Sequence, residues 1–224
     1  MIMFLIFNTI IDIKARDNFT NVIAPRITFE NKYSVLSLED EIPDITDFTH
    51  LLVTGSELSA SQGSEWDEKI ISVINSFLQA GKPILGICYG HQMVARAIAG
   101  NHVCLRSSKP EFGWKKMKIT NNRIFENVTQ PIFIESRYDE VFILDERFEI
   151  IASNEQLQVQ AFQLKNMPVW GVQFHPEMLL EDGNKMVEKH LCQYPDDRKY
   201  YSNEMKDENQ IKANLNIFRN FLNS

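Results

Sequence analysis

Cys88 stands between Gly86 and Gly90, where the apolar run Pro83–Ile87 meets a stretch whose Met93, Val94, Ala97 and Ile98 recur at helical spacing. A cysteine on a strand-to-helix turn, with a glycine two residues to either side, has the form of a nucleophile elbow. The glycines leave room where side chains would collide with neighbouring backbone. The start of the following helix places partial positive charge near the sulfur and favours its thiolate. The Tyr89 N–H points to where an oxyanion would form. A second group, His175-Pro176-Glu177, supplies a base and a carboxylate to orient it. Pro176 biases His175 toward extended backbone. Residues two apart in an extended segment project to one side, so Glu177 can hold one imidazole nitrogen while the other faces a sulfur. Nucleophile, base, orienter and oxyanion donor together are what a thiol needs to cleave an amide.

Leu85-Gly-Ile-Cys-Tyr-Gly-His-Gln92 resembles the nucleophile motif of class I glutamine amidotransferases, and Gln173-Phe-His-Pro-Glu177 looks like their second motif. The resemblance runs from the first strand to about Glu177, and more weakly to the final helix. It implies a triad of Cys88, His175 and Glu177 that hydrolyses the side-chain amide of glutamine through a γ-glutamyl thioester. It also implies that the Gly55-Ser56 loop faces the nucleophile and donates oxyanion N–H groups, although many relatives carry two glycines there. Gln92 matches the family position that contacts glutamine. Ser136, with its following backbone, lies where relatives hold the α-carboxylate and amine. Arg137, counted with the substrate contacts, replaces a histidine common in the family, since Ser136-Arg-Tyr-Asp139 stands for Ser-His-x-Asp. If the backbone alone does the holding, little changes; if the side chain helps recognise an acceptor or partner, the specificity differs. Glu111-Phe-Gly113 matches a family segment near the site. The Gly55-Ser56 loop and the Gly90-His-Gln92 run are most similar to stand-alone members related to the glutaminase domain of GMP synthase.

These residues need a scaffold. Met1–Phe7, Tyr33–Leu38, Leu51–Thr54 and Pro83–Ile87 read as buried strands. A helix is expected over Asn18–Phe29, interrupted near Pro25, and another over Trp66–Ala80 with Gly81 as its stop. Strands alternating with helices predict an α/β three-layer sandwich around a mostly parallel sheet, with the site beyond the carboxyl ends of the strands. The resemblance makes this sheet flavodoxin-like. From His102 the pattern turns to β: Val103–Arg106, Trp114–Thr120, Pro131–Ser136, Phe148–Ala152, Val159–Leu164 and Val169–Phe174 form an antiparallel section. Leu180–Gln210 is polar and of mixed charge, expected to be a solvated helical insertion or a pair of exposed helices forming a lid or partner surface. Ile211–Leu222 closes as an amphipathic helix.

The 224 residues suit a single domain over 1–224, with 44% hydrophobic and 24% charged residues. A net charge of -7 and the lack of a basic patch argue against nucleic acid. Met1–Phe7 is too short to span a bilayer and lacks a signal-peptide pattern, so no membrane association is expected. Three cysteines, Cys88, Cys104 and Cys192, suit a reducing cytosol and no disulfide framework. Cys88, His91, His102 and Cys104 could be grouped as metal ligands, but their spacing is irregular and the glycines would go unexplained; no metal or cofactor is expected. Three functions stay open: a glutaminase passing ammonia to a separate synthase subunit, a stand-alone hydrolase of γ-glutamyl compounds, and a noncatalytic relative that kept the fold. The intact triad speaks against the third.

Overall fold

The computed structural model describes residues 2–205 and 208–224. In chain order its elements are β1 (Met3–Asn8), α1 (Ile13–Asn18), α2 (Ala24–Thr28), β2 (Lys32–Ser37), β3 (His50–Val53), α3 (Asp67–Gln79), β4 (Ile84–Ile87), α4 (Tyr89–Ala99) and β5 (Cys104–Lys116). There follow β6 (Lys118–Ile119), β7 (Ile132–Val141), β8 (Phe148–Ser153), β9 (Ala161–Leu164), β10 (Val169–Val172), α5 (Leu180–Gln193) and α6 (Asn216–Leu222). The first strand, expected from Met1, begins at Met3; Met1 lies outside the described residues. Among the described residues no helix is long and apolar enough to cross a membrane.

Eight strands form one sheet in the order β2-β1-β3-β4-β10-β9-β8-β6. The first five are parallel and the last three antiparallel. The parallel part is flavodoxin-like in strand order, and its apolar runs are buried on both faces. Alternation along β1 shows the layers. Phe4 and Ile6 pack with Ile27 of α2 and Phe218 and Phe221 of α6, while Leu5 and Phe7 pack with Ile70, Val73 and Phe77 of α3 and Met93 of α4.

The expected Asn18–Phe29 helix starts earlier, at Ile13, because the Asp12 carboxylate caps it by accepting from the Ala15 N–H at 2.9 Å. Phe19–Ile23 widens to a π-helical turn just before Pro25, closed by Ala24 N–H to Phe19 O. Proline lacks an N–H and crowds the preceding turn, and a wider turn accommodates both.

The strands expected at Val103–Arg106 and Trp114–Thr120 are not separate in that way. β5 runs unbroken to Lys116, β6 follows as a short piece, and the Pro131–Ser136 strand extends to Val141 as β7. β5 and β7 form their own antiparallel ribbon, whose register shifts between Arg106 and Glu111, around Pro110, which cannot donate a ladder bond. Beneath the ribbon, Trp114 and Ile134 bury Val187 and Leu191 of α5 together with Ile211. Among its described residues the polar Leu180–Gln210 segment therefore holds one α-helix, docked through an apolar stripe. After a 3₁₀ turn at Pro195–Tyr200, the N–H groups of Ser202 and Glu204 donate to Phe112 O and Trp114 O at 3.1 and 2.9 Å, edging the ribbon. Residues 206 and 207 of that segment lie outside the described residues.

Candidate active site

β4 delivers Cys88 to the sheet's carboxyl edge, and α4 begins with the next residue. Cys88 has φ 52° and ψ -106°, a backbone region L-residues rarely adopt. Two hydrogen bonds hold it there: the Cys88 N–H donates to Val172 O at 2.8 Å, and its carbonyl accepts from the Gln92 N–H at 3.1 Å. The Gly90 N–H is committed to Thr54 O at 3.0 Å. The Tyr89 N–H, between these committed neighbours, stays at the N-terminus of α4, where the helix dipole is positive.

His175 is brought in by β7: its N–H donates to Ile134 O at 3.0 Å. Its Nδ1 lies 2.8 Å from Glu177 Oε1, and both side chains are buried. Their alignment has a different origin from the extended alternation expected. Pro176 and Glu177 form a turn, closed by Met178 N–H to His175 O at 3.5 Å, and proline's fixed φ suits the first corner of such a turn. Burial pulls the His175 imidazole down, but the Glu177 carboxylate and the Cys88 sulfur outweigh it and hold His175 well above its ordinary 6.5. Gly55 completes the group. A Cβ there would lie 3.0 Å from His175 Cε1 and 3.5 Å from Cys88 Cβ, so the loop backbone presses directly against both side chains.

That loop is pinned from the residue that follows β1. Thr9 donates through its hydroxyl to Gly55 O at 3.1 Å, and its N–H donates to Thr54 Oγ1 at 2.9 Å. Ser56 donates its hydroxyl to Thr9 O at 2.6 Å. Ser56 thus serves the loop's own shape, and Thr9 is a supporting residue that carries no motif in sequence.

Ser136 turns its carbonyl toward Cys88 Sγ, 3.9 Å away. Gln92 is buried, with Nε2 3.2 Å from Asp139 O and 3.0 Å from Gln173 Oε1. Gln173, quoted in sequence only as part of a motif, donates Nε2–H to Cys88 Sγ at 3.5 Å. Arg137 is placed differently from an open substrate contact. Its guanidinium, 1% exposed, forms a buried ion pair with Glu111 and a 3.4 Å contact with Glu140. Glu111 in turn accepts from Asn154 at 2.6 Å and Gln160 at 3.0 Å. The Glu111-Phe-Gly113 segment thus meets the site through this ion pair, and Arg137 braces the ribbon.

Cys88, His91, His102 and Cys104 do not converge; among the described residues no three His, Cys, Asp or Glu side chains could hold one metal ion. Burial pushes the Cys104 thiol up to about 12, and its S–H donates to Gln92 O at 3.5 Å. Cys192 is exposed on α5.

The group opens into a cleft of about 890 Å³, walled by Ile10–Asn18, the Gly55–Ser59 loop, Ser136–Asp139 of β7 and the inner side of α5. At its rim His190, unremarkable in sequence, stacks on Phe112 at 4.1 Å and sets Nε2 2.9 Å from Asp197. Tyr138 also bonds Asp197, tying α5 and the turn after it to the ribbon.

Residues 12–193 match the family model described as glutamine amidotransferase class-I. The chain is 39% identical over 128 residues to a glutamine-hydrolyzing GMP synthase subunit of Methanocaldococcus jannaschii, covering 56% of this chain and 66% of that protein. It is 33% identical over 174 residues to the GMP synthase of Phocaeicola vulgatus, covering 75% of this chain and 32% of that one. The chain thus spans just under two thirds of the archaeal relative and about a third of the longer synthase. Among solved structures, a glutamine amidotransferase of Thermotoga maritima superposes with TM-score 0.76 at 16% identity, covering 100% of both chains. A putative GMP synthase subunit of Thermoplasma acidophilum gives TM-score 0.71 at 21% identity, covering 100% of this chain and 93% of that one. At those identities the structures speak for the fold; the family model and the sequence relatives go further, and the chain belongs to the class I glutamine amidotransferases.

Proposed function

We propose that the chain is a glutaminase that releases ammonia from glutamine through a thioester on Cys88. The observation that carries this reading is the convergence of three elements on one point: the strained elbow at Cys88, His175 held by Glu177, and the Gly55 backbone against both. His175 takes the Cys88 proton, and the thiolate attacks the δ-carbon of the glutamine side chain. The Tyr89 N–H, with the Gly55 loop, faces the developing oxyanion. His175 returns the proton to the departing nitrogen, ammonia leaves, and a γ-glutamyl thioester remains. Water, deprotonated by His175, attacks the thioester; the C–S bond breaks and glutamate leaves. Glu177 holds the imidazole in one orientation and stabilises its cation throughout.

The relatives whose names make them components of a GMP synthase support a second proposal, that ammonia passes to a separate synthase subunit. The cleft supports an alternative acyl donor. Its roughly 890 Å³ exceeds what free glutamine fills, so a γ-glutamyl compound with a larger leaving amine fits the same chemistry. Glutamate release from glutamine and from a γ-glutamyl dipeptide, with Cys88→Ala as control, tests both. Cys88-dependent release from glutamine supports the glutaminase; a strong preference for the dipeptide favours the conjugate hydrolase. Release that survives Cys88→Ala overturns the assignment.

A further inference from the structure

Gln173 lies outside the triad, is fully buried, and touches the nucleophile. The orientation of its amide follows from an atom that cannot be reversed. The Asp139 backbone carbonyl only accepts, so the end of Gln92 that lies 3.2 Å from it is the NH2 group. That same nitrogen is 3.0 Å from Gln173, so the Gln173 atom facing it is the carbonyl oxygen. The Gln173 NH2 is therefore the end that meets Cys88 Sγ at 3.5 Å. Flipping either amide would oppose two oxygens or two donors. The strand end carrying the Asp139 carbonyl is fixed as well. Its carboxylate accepts from Ser59 Oγ at 2.5 Å, Ser61 N at 3.1 Å and Ser61 Oγ at 3.0 Å.

We propose that Gln173 is a dedicated thiolate donor, held in its donating orientation by Gln92 and the Asp139 carbonyl; this rests on Cys88 being the nucleophile. An N–H bond to a neutral thiol is weak, whereas one to a thiolate is charge-assisted, so the donor stabilises the charged form selectively. The Ser136 carbonyl, 3.9 Å from the sulfur, acts the other way by accepting from S–H. Burial keeps water from substituting for the amide. Gln92 acts through Gln173 as a positioning residue. With both its N–H groups committed, its Oε1 is the atom left for substrate, and it can only accept.

The test is the pH dependence of Cys88 alkylation by iodoacetamide in the full chain, read by mass spectrometry of the Cys88 peptide so that exposed Cys192 does not contribute. Gln173→Leu removes the donor; Gln173→Met does so at nearly unchanged length should leucine disturb the packing. The midpoint rises by about one pH unit, with alkylation about tenfold slower below it. Gln92→Leu, which removes no bond to the sulfur, moves the midpoint in the same direction. Folded Gln173 variants with the wild-type midpoint overturn the proposal, as does a shift with Gln92→Leu but not with either Gln173 variant. Shifted midpoints in a chain that hydrolyses no γ-glutamyl amide keep the donor and overturn the amidase reading; hydrolysis with unshifted midpoints does the reverse.

Discussion

Gly86 and Gly90 meet across the elbow: a Cβ on Gly86 would lie 2.4 Å from Gly90 O. On its far side Gly90 is equally close to the neighbouring strand, where a Cβ would lie 2.2 Å from Val53 O. Neither contact can be relieved by a side chain turning away, because both obstacles are backbone. Gly90→Ala is expected to cost more than about 3 kcal/mol, in the range of severe backbone clashes. Urea unfolding checks this, and a variant within 0.5 kcal/mol of wild type, as roughly expected of a harmless surface change, would mean the elbow is not built this way.

Glu177 both orients His175 and holds its proton. Glu177→Gln keeps the shape and removes the charge, so amide hydrolysis should fall by roughly 10²- to 10⁴-fold, as when a triad carboxylate is neutralised. Stability gives an independent sign. A histidine held above its ordinary 6.5 stabilises the fold fully below that value and loses the contribution as pH rises through its folded pKa. The variant should therefore be most destabilised below pH 6.5, and its deficit should shrink in alkali. Thermal melts from pH 5.5 upward show whether the deficit follows that course; a pH-independent deficit would detach Glu177 from the His175 charge.

Glu135 sits in β7 with no exposure, and among the described residues neither of its carboxylate oxygens has a hydrogen-bond partner. Burial pushes it up, the nearby Glu111 carboxylate adds to that, and Arg137 and His175 offset part of it, leaving it at about 8. The unfolded chain ionises this group at its ordinary 4.5, so the native state binds more protons between the two values. Stability then falls as pH rises from 4.5 to 8 and levels off above. Glu135→Gln should stabilise the protein by on the order of 2 kcal/mol at pH 8 and by little at pH 4.5. Denaturant midpoints at the two pH values decide it, and equal effects at both would show that Glu135 is charged in the fold.

The elbow was readable because it is local. One cysteine, two glycines and a change of hydrophobic period lie within a short stretch, and their geometry needs no distant partner. The parallel half of the sheet was readable for the same reason, through apolar runs alternating with helical stripes. What stayed hidden depends on distant pairing. Thr9 pins the Gly55 loop from just beyond the end of β1, and Gln173 reaches the sulfur only because β10 lies beside β4. Arg137 reads as a histidine replacement among the substrate contacts until β5 brings Glu111 opposite it. The docking of α5 was masked by composition: a narrow stripe, with Gly183, Val187 and Leu191 buried and Leu180 and Met186 packed beside them, seats a helix whose remaining positions are mostly polar.

The Cys88 backbone separates the demands of folding from those of chemistry. At φ 52° and ψ -106° any side chain is strained, at a cost of order 1–3 kcal/mol, and only glycine is at ease there. Glycine also loses more chain entropy on folding, roughly 0.5–1 kcal/mol relative to alanine, so the strain relief is only partly offset. Cys88→Gly should thus be more stable than Cys88→Ala by about 1 kcal/mol, while both lack the thiol and, on the proposed mechanism, release no glutamate. Paired chemical denaturation of the two variants measures the difference directly. If the alanine variant were the more stable, the elbow would relax once the sulfur is gone and the strain would belong to the thiol's own contacts. The expected order places the strain in the backbone, held by the Val172 carbonyl on the Cys88 N–H and the Thr54 carbonyl on the Gly90 N–H, so that the turn presents whatever side chain it carries to His175.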